Sequence, residues 1–233
     1  MQSEAFFGKY AFNASYAGCF GVEEEFWTVD SATGLLTPAS LRVFQDIPEN
    51  GLRPELPVHQ IEAVTGICRT LPELESDIRR NRDRLTALGE RFGFRIDTTP
   101  TPPSAFNLEV YPKSRYQAIL ASVPAEILRC GWITGQHVHF GCRDMVEAIR
   151  VQNGMRQDLP MILAYSARSP AYLGKNDGRQ SERFFTYLSM CQTHIGTWSL
   201  CWASSGHVVK NDEADLVCVF GPGGLEIDEG FVM

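Results

Sequence analysis

The 233-residue chain has no long apolar run, no closely paired cysteines and no excess of positive charge. Each absence removes a class of protein. The apolar stretches are short and interrupted, whereas a membrane-spanning helix needs about 20 consecutive apolar residues, so none is expected. The first residues, MQSEAFFGKYAF, lack a basic region followed by an apolar core and do not read as a secretory signal. Seven cysteines stand singly at 19, 68, 130, 142, 191, 201 and 218, with no C-x-x-C among them. An odd, scattered set fits reduced thiols in a cytoplasmic protein better than a disulfide framework or a zinc site. The net charge of −7 argues against a nucleic-acid partner. It leaves ATP open, because divalent ions neutralise phosphates locally.

What is present suits a globular fold. Hydrophobic content of 44% against 21% charged residues is enough to build a sizeable core, and no repeat or low-complexity tract divides the chain. A single domain over 1–233 is expected. The stretch CFGVEEEFWTV at 19–29 reads as a strand, because Phe20, Val22, Phe26, Trp27 and Val29 favour extended backbone. It nonetheless carries three adjacent carboxylates. A turn cluster follows at 30–34, then a short helix at 39–46 and a loop at 48–57. A second strand is expected at 58–68. Thr70 caps a helix that has Pro72 and Glu73 in its first turn and continues to about 93. A strand opens 94–106 and runs into a proline-stiffened loop. Tyr116, Ile119, Leu120, Val123, Ile127 and Leu128 mark a helix, and GQHVHFG at 135–141 a strand. Asp144 and Glu147 cap a helix over 145–157, and Pro160 starts another that ends near Arg168. DLVCVFG at 215–221 and LEIDEGFV at 225–232 look like a closing hairpin. The strands alternate polar with apolar residues, unlike parallel strands buried on both faces. The fold class is therefore α+β: an antiparallel sheet with helices on one face and an open polar face on the other.

Side chains alternate across a strand, so Glu23 and Glu25 share one face, about 6–7 Å apart. Glu24 lies on the other face, where a salt bridge to a helix would account for it. Two carboxylates so spaced can hold one hard cation or two neighbouring ones, and Mg²⁺ prefers oxygen ligands. A solvated strand face would show the same pattern. His137 and His139 likewise share a face. Zinc is the first thought for two histidines, but the glutamate-rich strands favour a harder, oxygen-rich site joined by one of them. Glu55 and Glu62 in ELPVHQIE, and Glu226 in LEIDE, add acids on other segments.

Several of these segments, taken in order, resemble the type 2 glutamate–cysteine ligase, or carboxylate–amine ligase, family. They are GVEEEF at 21–26, ELPVHQIEAVTGIC at 55–68, GQHVHFG at 135–141 and AIRVQNGMRQDLPMILAYSARSP at 148–170. GKNDGRQSER at 174–183 adds that family's Gly-rich segment through Asp177, Gly178, Ser181 and Arg183. The resemblance covers about residues 18–183. It implies a glutamine-synthetase-like catalytic domain, a curved antiparallel sheet whose concave face holds metal and ATP. It also implies metal ligation by Glu23, Glu25, Glu55, Glu62, one of His137 and His139, and Glu226. Arg168, Lys175, Arg179 and Arg183 become candidates for phosphate or carboxylate contacts, with Arg183 and Arg168 nearest the chemistry. The implied activity is ATP- and Mg²⁺-dependent ligation (with Mn²⁺ as an alternative ion) of a small carboxylate to a small amine, through an acyl phosphate.

The sequence departs from the family in three places. TPTPP replaces a T-H-P, YSARSP replaces LSANSP, and Asp228 stands where a basic residue is usual. The chain is also short at its C-terminal end relative to the family. A homodimer or larger assembly is expected to cover that end, with Trp198 and Trp202 as anchors. Rival readings are a shortened, non-catalytic relative that binds metal or nucleotide, a His-x-His hydrolase and an interaction scaffold. Five histidines in the whole chain are few for the hydrolase.

Overall fold

The computed structural model describes residues 12–105, 107, 109–122, 132–173, 175–176, 178–186, 207–210 and 216–219. Its centre is β1 (Phe20–Asp30), eleven residues long. β3 (Gln60–Val64) pairs antiparallel with the middle of β1, and β2 (Leu52–Pro54) pairs antiparallel with β3. The other edge of β1 is shared. β5 (Gln136–Phe140) takes residues 20–24, and β4 (Phe94–Asp97) takes residues 27–30, both antiparallel. The antiparallel α+β architecture expected from the alternation is thus present.

Two helices lie on the face that carries Phe26. α1 (Ala39–Asp46) and α2 (Leu71–Phe92) deliver Ala39, Val43 and Leu85 to a core with Phe26, Leu52, Ile61, Ala63 and Phe94. α2 forms as its sequence dictates. The Thr70 hydroxyl accepts from the Glu73 N–H at 3.3 Å, and Gly93 ends the helix in the left-handed region at φ 74°. Leu74 and Ile78 reach Val22 and Cys68 in a second, smaller cluster. Glu24 is buried on this face and accepts two hydrogen bonds from Arg82 of α2, at 2.5 and 3.1 Å, and one from Gln136 at 3.0 Å. The middle carboxylate of the triplet is therefore a tie between sheet and helix.

α3 (Ser114–Ser122), α4 (Met145–Met155) and α5 (Leu159–Ser166) follow. Asp144 caps α4 by accepting from the Glu147 N–H, and Glu147 accepts in return from the Arg143 N–H. Three expectations change. The 48–57 loop contains β2, a three-residue edge strand. The strand read at 58–68 is regular over 60–64; a turn in which the Gln60 N–H donates to the Pro57 carbonyl precedes it, and beyond it Cys68 bridges back to Phe20. The 215–221 segment pairs as β7 (Leu216–Val219) with β6 (His207–Lys210). The proposed partner at 225–232 lies outside the described residues, as do Val123, Ile127 and Leu128, and Trp198 and Trp202.

The face opposite the helices is only partly open. Trp27 and Val29 belong to it by alternation, yet are 0% and 1% exposed. The Trp27 indole N–H donates to the Thr99 carbonyl, and Thr134 bonds back to Thr99 and Pro100. The proline-stiffened loop therefore covers one end of this face and leaves the acidic end accessible. No described helix is long and apolar enough to cross a membrane. Cys19, Cys68 and Cys142 are buried free thiols.

Replacing Arg82 with Ala leaves Glu24 buried with one neutral donor. Urea unfolding should show a loss of about 2 kcal/mol, below the 3–5 of a fully enclosed pair because Arg82 is half exposed. Arg79→Ala, which breaks an exposed pair with Glu75, should cost less than about 0.5 kcal/mol. Equal losses in the two variants would contradict the role given to Glu24.

Candidate metal centre

Antiparallel pairing sets residues directly opposite one another on the same face. In β1 and β3, Glu25 stands opposite Glu62; in β1 and β5, Glu23 stands opposite His137 and Gly21 opposite His139. The registers alone collect Glu23, Glu25, Glu62, His137 and His139 on one side of the sheet. Glu55, just beyond β2, reaches the same place. Two donor groups result. Glu23, Glu62 and His137 present ligand atoms within 4.8 Å of one another, and so do Glu25, Glu55 and Glu62. Glu62 is common to both.

The surroundings fix these side chains. Glu25 accepts from the Gly135 N–H at 2.7 Å, while the Glu25 N–H donates to the Gly135 carbonyl at 3.0 Å. A Cβ at Gly135 would sit 2.7 Å from the Arg183 guanidinium and 3.5 Å from the His137 ring, so a larger residue there would make the end of the Arg183 side chain shift. Arg183 thus lies beside Glu25 and His137, its backbone N–H bonded to the Ser169 hydroxyl at 3.1 Å. Glu23 Oε2 lies 3.3 Å from His137 Nδ1 and 3.2 Å from His139 Nε2. Glu55 accepts from the Leu56 N–H at 2.9 Å.

The two ends of the cluster hold charge differently. His137 and His139 beside Glu23 hold its carboxyl well below the usual range, and the Glu23 hydrogen bond raises His137 in return. At the other end, burial pushes Glu55 up to about 7, with Glu25 adding repulsion. Burial pushes Glu62 up to about 8, with Glu55, Glu23 and Glu25 adding to it. Burial also raises Glu25. Without a cation, this end takes up protons to relieve itself.

Not every candidate converges. Arg168 and Lys175 are exposed, on the segments after α5. Arg179 is exposed, pairs with Glu182 at 3.2 Å and lies over the Phe185 ring at 4.4 Å. Asp177 and Glu226 lie outside the described residues. Two groups went unread in the sequence. Tyr116, taken as a helix marker, donates its hydroxyl to the Pro54 carbonyl at 2.9 Å, and burial beside Glu55 and Glu62 raises its phenol. Arg53 stands opposite Glu62 in β2. The only hint was its place two residues before Glu55 in a loop-like stretch.

Residues 19–210 match the sequence model of glutamate-cysteine ligase family 2. The chain belongs to that family. A Solibacter usitatus (strain Ellin6076) protein, provisionally named glutamate–cysteine ligase 2, is 31% identical over 82% of this chain and 51% of its own length. A Saccharopolyspora erythraea relative, provisionally named glutamate–cysteine ligase 2-2, is 36% identical over 70% of this chain and 44% of its own. The chain spans about half the length of the curated relatives it matches. Among solved structures, a bifunctional glutathione synthetase from Pasteurella multocida aligns at 15% identity over 68% of this chain and 24% of that one, with a TM-score of 0.49.

The raised carboxyls generate a prediction for this member of the glutamate-cysteine ligase family. Glu62 titrates near 8 in the folded protein and near 4.5 when unfolded. Between those values the unfolded chain releases a proton that the folded chain keeps. Stability of the metal-free protein should therefore fall as pH rises from about 4.5 to about 8. His137, also raised, acts in the same direction. Glu62→Gln should flatten this slope in chelator-treated protein and raise the melting temperature at pH 8. A slope unchanged in the variant would refute the assignment.

Proposed function

We propose that the chain is the metal- and nucleotide-binding part of an ATP- and Mg²⁺-dependent carboxylate–amine ligase, of the glutamate–cysteine ligase kind. The observation that carries the reading is the pair of donor groups sharing Glu62, on the face away from the helices. Five of their six donor positions are carboxylate oxygens and the sixth is an imidazole. That donor set suits Mg²⁺ or Mn²⁺ better than zinc. The protonation at the Glu55 and Glu62 end fits a site built for positive charge.

Glu23, Glu62 and His137 would hold one ion, and Glu25, Glu55 and Glu62 a second. Bound there, the ions would neutralise the triphosphate and polarise its terminal phosphoryl group. The chain's own work is placement. Paired strands fix Glu23, Glu25 and Glu62, so little reorganisation accompanies binding. The loop over Trp27 excludes water from one side. Arg183, held against Gly135, is aimed where a phosphate or carboxylate oxygen would lie, and a guanidinium matches either in a two-point contact. Arg168, Lys175 and Arg179 are exposed and stand as further phosphate candidates. In the proposed reaction, a carboxylate oxygen of the acid attacks the γ-phosphorus and ADP leaves. The amine nitrogen then attacks the acyl phosphate carbon, phosphate leaves with the C–O bond electrons, the nitrogen gives up a proton to water or the departing phosphate, and an amide remains. Small-molecule acid and amine are the partners, and the reduced cysteines fit a cytoplasmic setting.

The test is phosphate release from ATP with Mg²⁺ and a panel of amino-acid pairs. Release that depends on both an acid and an amine is expected. Glu25→Gln should lower it at least about a hundredfold, since even partners of metal ligands cost 10–100-fold. Gly135→Ala, which displaces Arg183, should lower it with Mn²⁺ affinity retained. No release under any pairing, with nucleotide still stabilising the fold, would reduce the reading to a metal–nucleotide binder.

A further inference from the structure

The row of residues across the sheet runs Arg53, Glu62, Glu25 on β2, β3 and β1, in register, and ends at Gly135 with Arg183 against it. Guanidinium groups therefore bracket the carboxylates at both ends. The Arg53 end has a second one. Residues 109–111 run antiparallel beside 56–58, where the Val58 N–H donates to Glu109 and the Tyr111 N–H to Leu56, and the Tyr116 hydroxyl in the first turn of α3 donates to Pro54. Lys113 pairs with Glu49 at 2.8 Å on the same seam. This pins the start of α3 against β2 and brings Arg115 to the side of Glu55.

Arg53 and Arg115 are both exposed, and neither forms a hydrogen bond or ion pair with a described residue. They still act on the cluster at longer range, Arg53 on Glu62 and Arg115 on Glu55 and Tyr116. At that range both cations favour the charged carboxylates without contacting them, so their guanidinium donors are not taken up by the cluster. Removing either breaks no hydrogen bond or ion pair with a described residue.

We propose that Arg53 and Arg115 form an oxyanion subsite at the Glu55 end of the cluster, binding a carboxylate or phosphate group of a reactant. The proposal rests on the ligase reading and deepens it, by naming the residues that recognise the anionic part of one reactant. Guanidinium is always charged and presents a planar fork that fits either oxyanion, so two on adjacent segments form a clamp. The two sources of oxyanion are the non-reacting carboxylate of the acid and the nucleotide phosphates.

The experiment is calorimetric titration of the full chain in Mg²⁺ with glutarate, with butyrate as its one-carboxylate counterpart, and with a non-hydrolysable ATP analogue. The proteins are wild type and the Arg53→Gln, Arg115→Gln double variant, with Mn²⁺ affinity measured alongside. The double variant should bind glutarate or the analogue about tenfold or more weakly, the scale of losing a charge-assisted hydrogen bond. Mn²⁺ affinity should hold or rise, because two nearby positive charges are gone. Loss confined to glutarate, with butyrate unaffected, identifies the acid's second carboxylate; loss of the analogue identifies phosphate. Wild type and variant alike for every probe would overturn the proposal. So would a wild type that binds neither glutarate nor the analogue, or a loss of Mn²⁺ affinity together with the probes. Arginine-dependent binding of either probe upholds the subsite even if no phosphate is released from ATP, so the two readings fail separately.

Discussion

A strand has two edges and two faces, and β1 uses all four. Its faces separate Glu24 from Glu23 and Glu25 by alternation alone. One face is anchored in the core through Val22 and Phe26, and the other carries the acids. One edge brings Glu62 opposite Glu25 through β3. The other brings His137 opposite Glu23 through β5. A one-residue slip in either pairing would turn Glu62 or His137 to the helix side and Ile61 or Val138 to the acidic side. The hydrophobic core opposes the slip of β3, because Ile61 and Ala63 are buried in one cluster with Phe26, Val43 and Leu85. Core packing therefore sets the placement of Glu62 against Glu25.

The cluster is arranged in charge as well as in space. Glu23 is matched by two imidazoles and remains a carboxylate. Glu25, Glu55 and Glu62 are crowded, desolvated and raised. A site of this kind holds protons when empty of cations and exchanges them for positive charge. The adjacent tie of Glu24 to Arg82 lets three successive carboxylates exist in one strand, because the middle one is neutralised on the opposite side. Arg183 at one end and Arg53 with Arg115 at the other supply positive charge around a centre that remains acidic. That pattern suits a ligand that is itself negative and arrives with cations.

Much of this was readable before the structure. The alternation in CFGVEEEFWTV and HVHFG gave both faces, and the Glu24 salt bridge to a helix followed from the same count. Thr70 and Asp144 announced their helices by their caps. Other features were hidden for physical reasons. β2 is three residues long and ends in Pro54, which a sheet tolerates at an edge, and so short a strand has no periodicity to detect. Arg53 was lost with it. The open face extends less far than alternation alone implies, because Trp27 and Val29 are covered by a loop whose path depends on tertiary bonds from Trp27 and Thr134 to the Thr99 carbonyl. Arg183 could be guessed from its segment but not placed, since its neighbour Gly135 is 48 residues away in sequence and meets it only in the fold.

The central claim is that the face bearing Glu23, Glu25, Glu55, Glu62 and His137 is a cation site with two positions joined by Glu62. Crystals grown with Mn²⁺ and measured for anomalous scattering at the manganese edge test it most directly. The account predicts two peaks, one bounded by Glu23, Glu62 and His137 and the other by Glu25, Glu55 and Glu62, with a Glu62 oxygen contacting each. An anomalous map with no peak on this face, or with manganese bound only elsewhere on the protein, would contradict it.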